Sequence, residues 1–323
     1  MGLFRAMFGV IFACALWSFE VEGGGGLSYD FYERTCPQVE DIVRAGLRSL
    51  SLSDPTTPAA MLRLMFHDCQ VQGCDASILI DSETMPSEMA STRNFGIRKR
   101  ETITLLKSMV EAVCPNRVSC ADILVLAARD AVAMSGGPQI QVPLGRRDSV
   151  SFPSHSLADS QLPAAGLGVD GMLRIFGSKG MSVEESVAIV GAHTLGISHC
   201  FNIFTRQQAS QEHKAQNREP GLEMVLRLSC PLGSLTPNSS FVVNDPTSLI
   251  FDNQYYLNAM RGRGILRVDA ELPSDPRTGP FVQSFGENQE NFFMAFSSGF
   301  VKLASSGVLT GDQGVIREMC NVI

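Results

Sequence analysis

Nine cysteines stand in this chain of 323 residues, and the spread of eight of them limits the possible folds more than any other feature. Cys14 sits in an N-terminal stretch that carries Arg5, then an apolar block from Ala6 to Phe19, then acidic and glycine residues. That order reads as a secretory signal peptide over residues 1–26, cleaved near Gly23. The block is too short for a bilayer span, which takes ~20 apolar residues. The other eight cysteines, an even number in a chain bound for an oxidising compartment, imply four disulfides reaching from Cys36 to Cys320. Their number permits about a hundred pairings and leaves the connectivity open. Zinc is the competing use, but no Cys-x-x-Cys pair occurs.

Helical periodicity fills the intervals. Val39, Ile42, Val43 and Leu47 recur on one face after Pro37, a good first-turn residue. Ile103, Leu106, Val110 and Val113 repeat the pattern, and Ile123, Leu124, Ala127 and Ala131 do so between Ser119, a candidate cap, and Gly136. Phe292, Phe296, Phe300 and Leu303 form a stripe ending at Gly307, which reads as core rather than as a cofactor box. Alternation is scarce, so the expected class is all-α with at most short β-hairpins. Gly, Pro and Ser gather between Gly136 and Gly168, which sets a seam between a first half, 27–160, and a second, 161–323.

Two segments are denser in chemistry than architecture requires. In the first, Arg63 and His67 stand four apart, followed by Asp68, Cys69, Gly73, Cys74 and Asp75. On a helix, Arg63 and His67 share a face, so a fixed cation and a titratable base can meet one small ligand. The pair suits cleavage of a polar bond such as O–O: the imidazole passes a proton from one atom to the next while the guanidinium stabilises the developing charge. The second segment, Gly191-Ala192-His193-Thr194-Leu195-Gly196, follows a run opened by Ser182 and Glu185 at capping-box spacing. Val183, Val187 and Val190 keep helical spacing, so His193 projects near the end of a packed helix. An iron porphyrin held by one imidazole, with the other left unligated across from it, accounts for both histidines.

Further motifs follow in order: Phe31-Tyr32, Thr35-Cys36-Pro37, Val118-Ser119-Cys120-Ala121-Asp122, Gly136-Gly137-Pro138, and Val142-Pro143-Leu144-Gly145-Arg146-Arg147-Asp148. Leu162-Pro163-Ala164, Phe251-Asp252-Asn253 with Tyr255-Tyr256, and Leu309-Thr310-Gly311 complete the series. Together with the two histidine segments, this order resembles that of the class III haem peroxidases, the secretory peroxidases of plants, from about Phe31 to Cys320.

The resemblance implies the haem-peroxidase fold, two helical halves with haem b in the crevice between them. His67 is then the distal acid and base, Arg63 the stabiliser of O–O heterolysis, and Asn94 the acceptor that orients His67, with Glu88 behind it. His193 becomes the iron ligand and Asp269 its hydrogen-bond acceptor, although Val268 and Ala270 replace the Ser and Gln usual beside that Asp. Pro163 matches the substrate-contact proline at the haem edge, and Gln70 stands where Phe is usual. The implied disulfides are Cys36 with Cys114, Cys69 with Cys74, Cys120 with Cys320, and Cys200 with Cys230. Two calcium ions are implied as well. Asp68, Val71, Gly73, Asp75 and Ser77, with Glu88 acting through water, form an oxygen-rich loop for the first. Thr194, Asn244, Thr247, Asp252 and the carbonyl of Ile250 match the second; Asn244 replaces a carboxylate, so this site should bind more weakly or borrow Asp245.

The activity so implied is the use of hydrogen peroxide to oxidise small phenolic donors in one-electron steps, with roles in cell-wall and lignin metabolism, oxidative stress and peroxide removal. A formal net charge of −7 with no basic run leaves no footprint for nucleic acid, and no membrane partner is expected. A monomer is expected in the cell wall or apoplast, because only Asn321 to Ile323 follow Cys320 where vacuolar members carry longer tails. Asn238-Ser239-Ser240 offers a glycan site. His155, His199 and His213 lack a partner pattern and read as surface or structural. The rival reading is a catalytically inert, calcium-stabilised wall protein on the same fold, which the retained Arg63, His67, Asn94, His193 and Asp269 argue against. A serine hydrolase fails for want of a G-x-S-x-G elbow.

Overall fold

The computed structural model describes residues 26–82, 87–151, 154–203, 219–231 and 240–323; the signal segment to residue 25, His213 and Asn238 lie outside them. Helices dominate. In the first half run α1 (Val39–Ser53), α2 (Thr57–Gln70), α3 (Arg100–Glu111) and α4 (Cys120–Met134). Helix α5 (His155–Gln161) crosses the expected boundary at residue 160, and the second half holds α6 (Val169–Gly177), α7 (Val183–Val190), α8 (Pro220–Ser229), α9 (Gln254–Met260), α10 (Arg267–Glu271), α11 (Gly279–Glu287) and α12 (Gln289–Ser305). Strands β1 (Ile197–His199) and β2 (Phe241–Val243) pair antiparallel, Ile197 opposite Val243, far apart in sequence and so not as a hairpin.

The helix ends follow local chemistry. Ser119 Oγ accepts from Asp122 N at 3.1 Å and starts α4. Ser182 and Glu185 form the reciprocal capping box of α7, with Glu185 N to Ser182 Oγ at 3.1 Å and Ser182 N to Glu185 Oε2 at 2.7 Å. Two details depart from the periodicity. Pro37 precedes the α1 cap, Gln38, rather than entering the first turn. Helix α3 stops at Glu111, which leaves Val113 beyond it and exposed.

One buried apolar cluster runs from Tyr32 to Cys320 and draws on both halves, so the seam divides the sequence but not the packing. Helix α2 lies along α4, α7 lies along α12, and α12 also reaches α2. The stripe of Phe292, Phe296, Phe300 and Leu303 is buried, with Phe292 stacked on Phe251 at 5.3 Å between ring centres. Disulfides join Cys36 to Cys114, Cys69 to Cys74, Cys120 to Cys320 and Cys200 to Cys230, the pairings the resemblance implied.

Asp122 fastens the irregular segment that follows α4. Its carboxylate pairs with Arg146 at 2.7 Å, both side chains fully buried, and accepts from the Tyr32 hydroxyl at 2.7 Å and Gly145 N at 2.8 Å. Arg146 also donates to the carbonyls of Pro143 and Ala304, each at 2.8 Å, which ties this segment to the end of α12. Removing one partner of such a pair strands a buried charge. Asp122→Ala should therefore cost about 3–5 kcal/mol of folding stability, read from the denaturant midpoint, and a shift below ~1 kcal/mol would contradict the role given to this pair.

Candidate active site

Between the halves lies a cavity of about 690 Å³, within the ~300–1,000 Å³ range of ligand-sized clefts. Helix α2 supplies Arg63, Phe66 and His67 to its wall, the turn after α7 supplies His193, and α12 supplies Phe296, Phe300 and Leu303. The phenylalanine stripe thus serves core and cavity together, a double use that periodicity does not distinguish. His199, read above as surface or structural, also faces the cavity, because β1 carries it there. Arg63, Arg93 and Arg98 line the space, and no Asp or Glu stands among the described lining residues.

His67 is held from both sides. Its Nδ1 lies 2.7 Å from Asn94 Oδ1, an oxygen that can only accept, so the ring proton is on Nδ1 and Nε2 is the unprotonated nitrogen. Arg63 Nε donates to that Nε2 at 3.2 Å, and Arg63 Nη2 donates to Phe95 O at 2.8 Å. Asn94 is itself oriented by its Nδ2, which donates to the backbone carbonyl of Glu88 at 2.8 Å. Glu88 therefore holds Asn94 through its main chain, leaving its carboxylate for another use. Burial, with the Arg63 charge beside it, pulls His67 down to about 3, against the opposing pull of Asn94. Burial and the nearby Arg98 lower Arg63 to about 10, still a cation at neutral pH.

His193 sits on the short 3₁₀ turn Gly191–Thr194 that continues α7. Its Nδ1 donates to Asp269 Oδ1 at 3.0 Å, which leaves Nε2 as the free nitrogen of a ring that lines the cavity. Asp269 is buried, a cost that His193, the Leu266 N–H at 2.8 Å and the Tyr255 hydroxyl at 2.8 Å more than offset, so its carboxyl lies below the usual range. Tyr255 belongs to a recognised motif, yet nothing in its spacing from Asp269 signals the contact. The helix-capping bond from Leu266 N to Asp269 Oδ2 is what supports the carboxylate despite its altered neighbours.

The loop after α2 gathers Asp68, Asp75, Ser77 and Glu88, all buried. Asp68 accepts from the N–H groups of Asp75 at 3.1 Å, Ala76 at 3.0 Å and Ile78 at 3.3 Å. Ser77 Oγ donates to Glu88 Oε1 at 3.3 Å, and Glu88 Oε2 is buried with no hydrogen-bond partner. Burial and the charge of Asp75 push Glu88 up to about 8, and burial with its acidic neighbours raises Asp68. Val71 is buried beside them, and Gly73 packs so closely on Gly307 that a Cβ would lie 2.2 Å from the Gly307 carbonyl oxygen. No three His, Cys, Asp or Glu side chains among the described residues form a metal cluster, so a cation here would need carbonyl and hydroxyl oxygens beside the acids.

Near His193, Thr194, Thr247 and Asp252 come together, with Ile250 in the same turn through its N–H to Thr247 O at 2.7 Å. Asn244 does not join their hydrogen bonds; Asp245 does. Pro163 lines the cavity. Gln70 is buried outside the lining, its Nε2 donating to Gln161 O at 3.3 Å. His155 is exposed at the start of α5.

The peroxidase family profile matches residues 39–288 of the chain. Peroxidase 29 of Arabidopsis thaliana is 54% identical over 303 residues, covering 92% of this chain and 89% of that protein. Peroxidase 18 of the same plant is 40% identical over 306 residues, covering 92% and 91%, and Peroxidase 63 is 39% identical over 300 residues, covering 92% and 90%.

Asp269 and its donors give a graded test of this arrangement. Tyr255→Phe removes one hydrogen bond and should lower stability by about 1 kcal/mol. Asp269→Leu orphans the Tyr255 hydroxyl and the Leu266 N–H, at ~1–3 kcal/mol each, and should cost severalfold more in the same urea titration. Equal losses in the two variants would contradict the network.

Proposed function

The chain belongs to the class III plant branch of the peroxidase family and is a haem-dependent peroxidase, and we propose that His67, Arg63 and Asn94 activate its hydrogen peroxide while His193 and Asp269 hold the haem. The cavity suits that cofactor: it is of ligand size, its walls are mostly apolar, and one unprotonated imidazole nitrogen is available on each of two separate elements. When bound, the haem supplies the iron at which peroxide is reduced and the donor is oxidised in one-electron steps.

The observation that carries the reading is the bond from His67 Nδ1 to Asn94 Oδ1. It fixes a neutral tautomer whose Nε2 takes a proton from one oxygen of hydrogen peroxide and returns it to the departing oxygen, which leaves as water. The Arg63 guanidinium, 3.2 Å from that nitrogen, stabilises the negative charge on the departing oxygen. On the other side, the anionic acceptor Asp269 makes the imidazole of His193 a stronger electron donor to a metal. Pro163, at the cavity edge, contacts small phenolic donors, a substrate class supported by family membership.

Calcium fits the loop after α2, where the buried Glu88 Oε2 has no hydrogen-bond partner and lies near the buried acids Asp68 and Asp75. Asp68, Asp75, Ser77 and the carbonyls of Val71 and Gly73 are its ligands, and Glu88 acts through water. A second calcium ion would be held beside Thr194 by the oxygens of Thr194, Thr247 and Asp252. No described helix of the chain is long and apolar enough to cross a membrane. Its leader sends it to the cell wall or apoplast, with a glycan at Asn238 and roles in wall and lignin metabolism, oxidative stress and peroxide removal. The inert wall-protein alternative is not favoured, because an inactive chain has no need of an oriented His67 beside the Arg63 cation.

Purified enzyme should show a Soret band that shifts on adding peroxide and should then oxidise guaiacol; a spectrum indifferent to peroxide would overturn the reading. In His67→Ala the peroxide reaction should slow by a factor on the order of 10² or more, measured by stopped flow. The pH profile follows from the lowered basicity of His67. The base works only when neutral, so the rate should stay level from about pH 8 to about pH 4 and fall below that as Nε2 gains a proton near the value of about 3. A decline already centred near ~6.5, the ordinary value for histidine, would contradict this environment.

A further inference from the structure

Asn244 and Asp245 are neighbours in sequence with opposite chemical needs. The Asn244 side chain accepts from Ser198 Oγ at 2.7 Å and donates through Nδ2 to Leu195 O at 3.1 Å. An amide does both, whereas a carboxylate at this position would meet the Leu195 carbonyl with no proton to give. The residue is thereby committed to pinning β2 against the turn that follows His193, where Asn244 N also donates to Gly196 O at 3.2 Å.

Asp245 points the other way. Its Oδ2 accepts from Thr194 Oγ1 at 2.9 Å, and its Oδ1 accepts from Thr247 Oγ1 at 3.0 Å and Thr247 N at 2.9 Å. Both threonine hydroxyls also reach Asp252 Oδ1, Thr194 at 3.1 Å and Thr247 at 3.2 Å. Two hydroxyls therefore lie within hydrogen-bond distance of the same two carboxylates, which brings four oxygen-bearing side chains together. Asp245 and Thr194 are buried there, so two anions are held close with hydroxyl protons as their only shared compensation. The donor set is all oxygen, with two negative charges, and suits a hard divalent cation.

Resting on the calcium reading above, we infer that the carboxylate ligand of the proximal calcium has moved by one residue in this chain: Asp245, with Thr194, Thr247 and Asp252, binds the ion, and Asn244 is a structural clamp outside it. The site keeps two carboxylates and so does not suffer the loss of charge that Asn244 alone would bring.

Metal content of the purified holoenzyme after dialysis against a chelator tests this. Wild-type enzyme should retain two calcium ions per chain, Asp245→Asn one, and Asn244→Ala two, since calcium affinity at the altered site should fall about tenfold or more with one carboxylate gone. The exchanged pair, Asn244→Asp with Asp245→Asn, should also retain one, because position 244 faces Leu195 O. Two ions in Asp245→Asn or in the exchanged pair would overturn the assignment, as would loss of an ion in Asn244→Ala. If Asp245→Asn does not fold, the Asn244→Ala result decides alone. Wild-type enzyme holding a single ion would overturn the proximal site, and none at all would overturn the calcium reading together with it. A Soret band of normal intensity in each variant, with the thermal midpoint in chelator, separates ion loss from misfolding.

Discussion

Each of the two imidazoles that matter gives its Nδ1 proton to a fixed acceptor, and the rest of the molecule keeps those acceptors in place. An imidazole with an unassigned tautomer is an unreliable base and an unreliable ligand. Once Nδ1–H is committed, Nε2 is left with a lone pair. The two acceptors differ in charge, and that difference separates the tasks. Asn94 is neutral, so His67 remains a weak base that can take up a proton and release it again. Asp269 is anionic, so His193 becomes electron-rich and suited to holding iron. Behind each acceptor stands a further support: the Glu88 carbonyl for Asn94, and Tyr255 with the Leu266 N–H for Asp269.

Electrostatics divide the molecule along the same line. The cavity walls carry arginines and, among the described residues, no carboxylates, although acids outnumber bases in the chain as a whole. Asp68, Asp75 and Glu88 are buried together after α2, and Asp245 is buried beside Thr194, both next to imidazole-bearing elements. Separation serves the chemistry. A carboxylate next to His67 would raise its basicity, whereas Arg63 and burial keep it neutral.

Glu88 shows how closely these parts are joined. Its main chain orients Asn94, and through Asn94 the distal base, while its side chain faces the acidic loop. Glu88 and Asn94 thus link that loop to His67. On the other side, Thr194 follows His193 directly and bonds both acids of the second cluster, so a single peptide link separates His193 from that cluster.

Much of this was legible in the chain itself. The Ser119 cap, the Ser182–Glu185 box, the helical stripes and the pairing of Arg63 with His67 depend on neighbours within about a turn, and local spacing fixes local geometry. The motif order identified the disulfides, the two histidines and the acidic loop. Contacts between distant segments were not legible in the same way. Spacing cannot tell that Tyr255 donates to Asp269, that His199 turns into the cavity, that Phe296 and Phe300 serve core and cavity at once, or that Glu88 reaches Asn94 by its carbonyl. Nor can it decide between Asn244 and Asp245, adjacent residues whose side chains leave a turn in different directions. Local propensity and motif order determined the elements and the chemistry they carry, whereas the pairing of β1 with β2 and the meeting of the two halves decided which atom of each residue faces which partner, because those directions depend on packing between segments far apart in sequence.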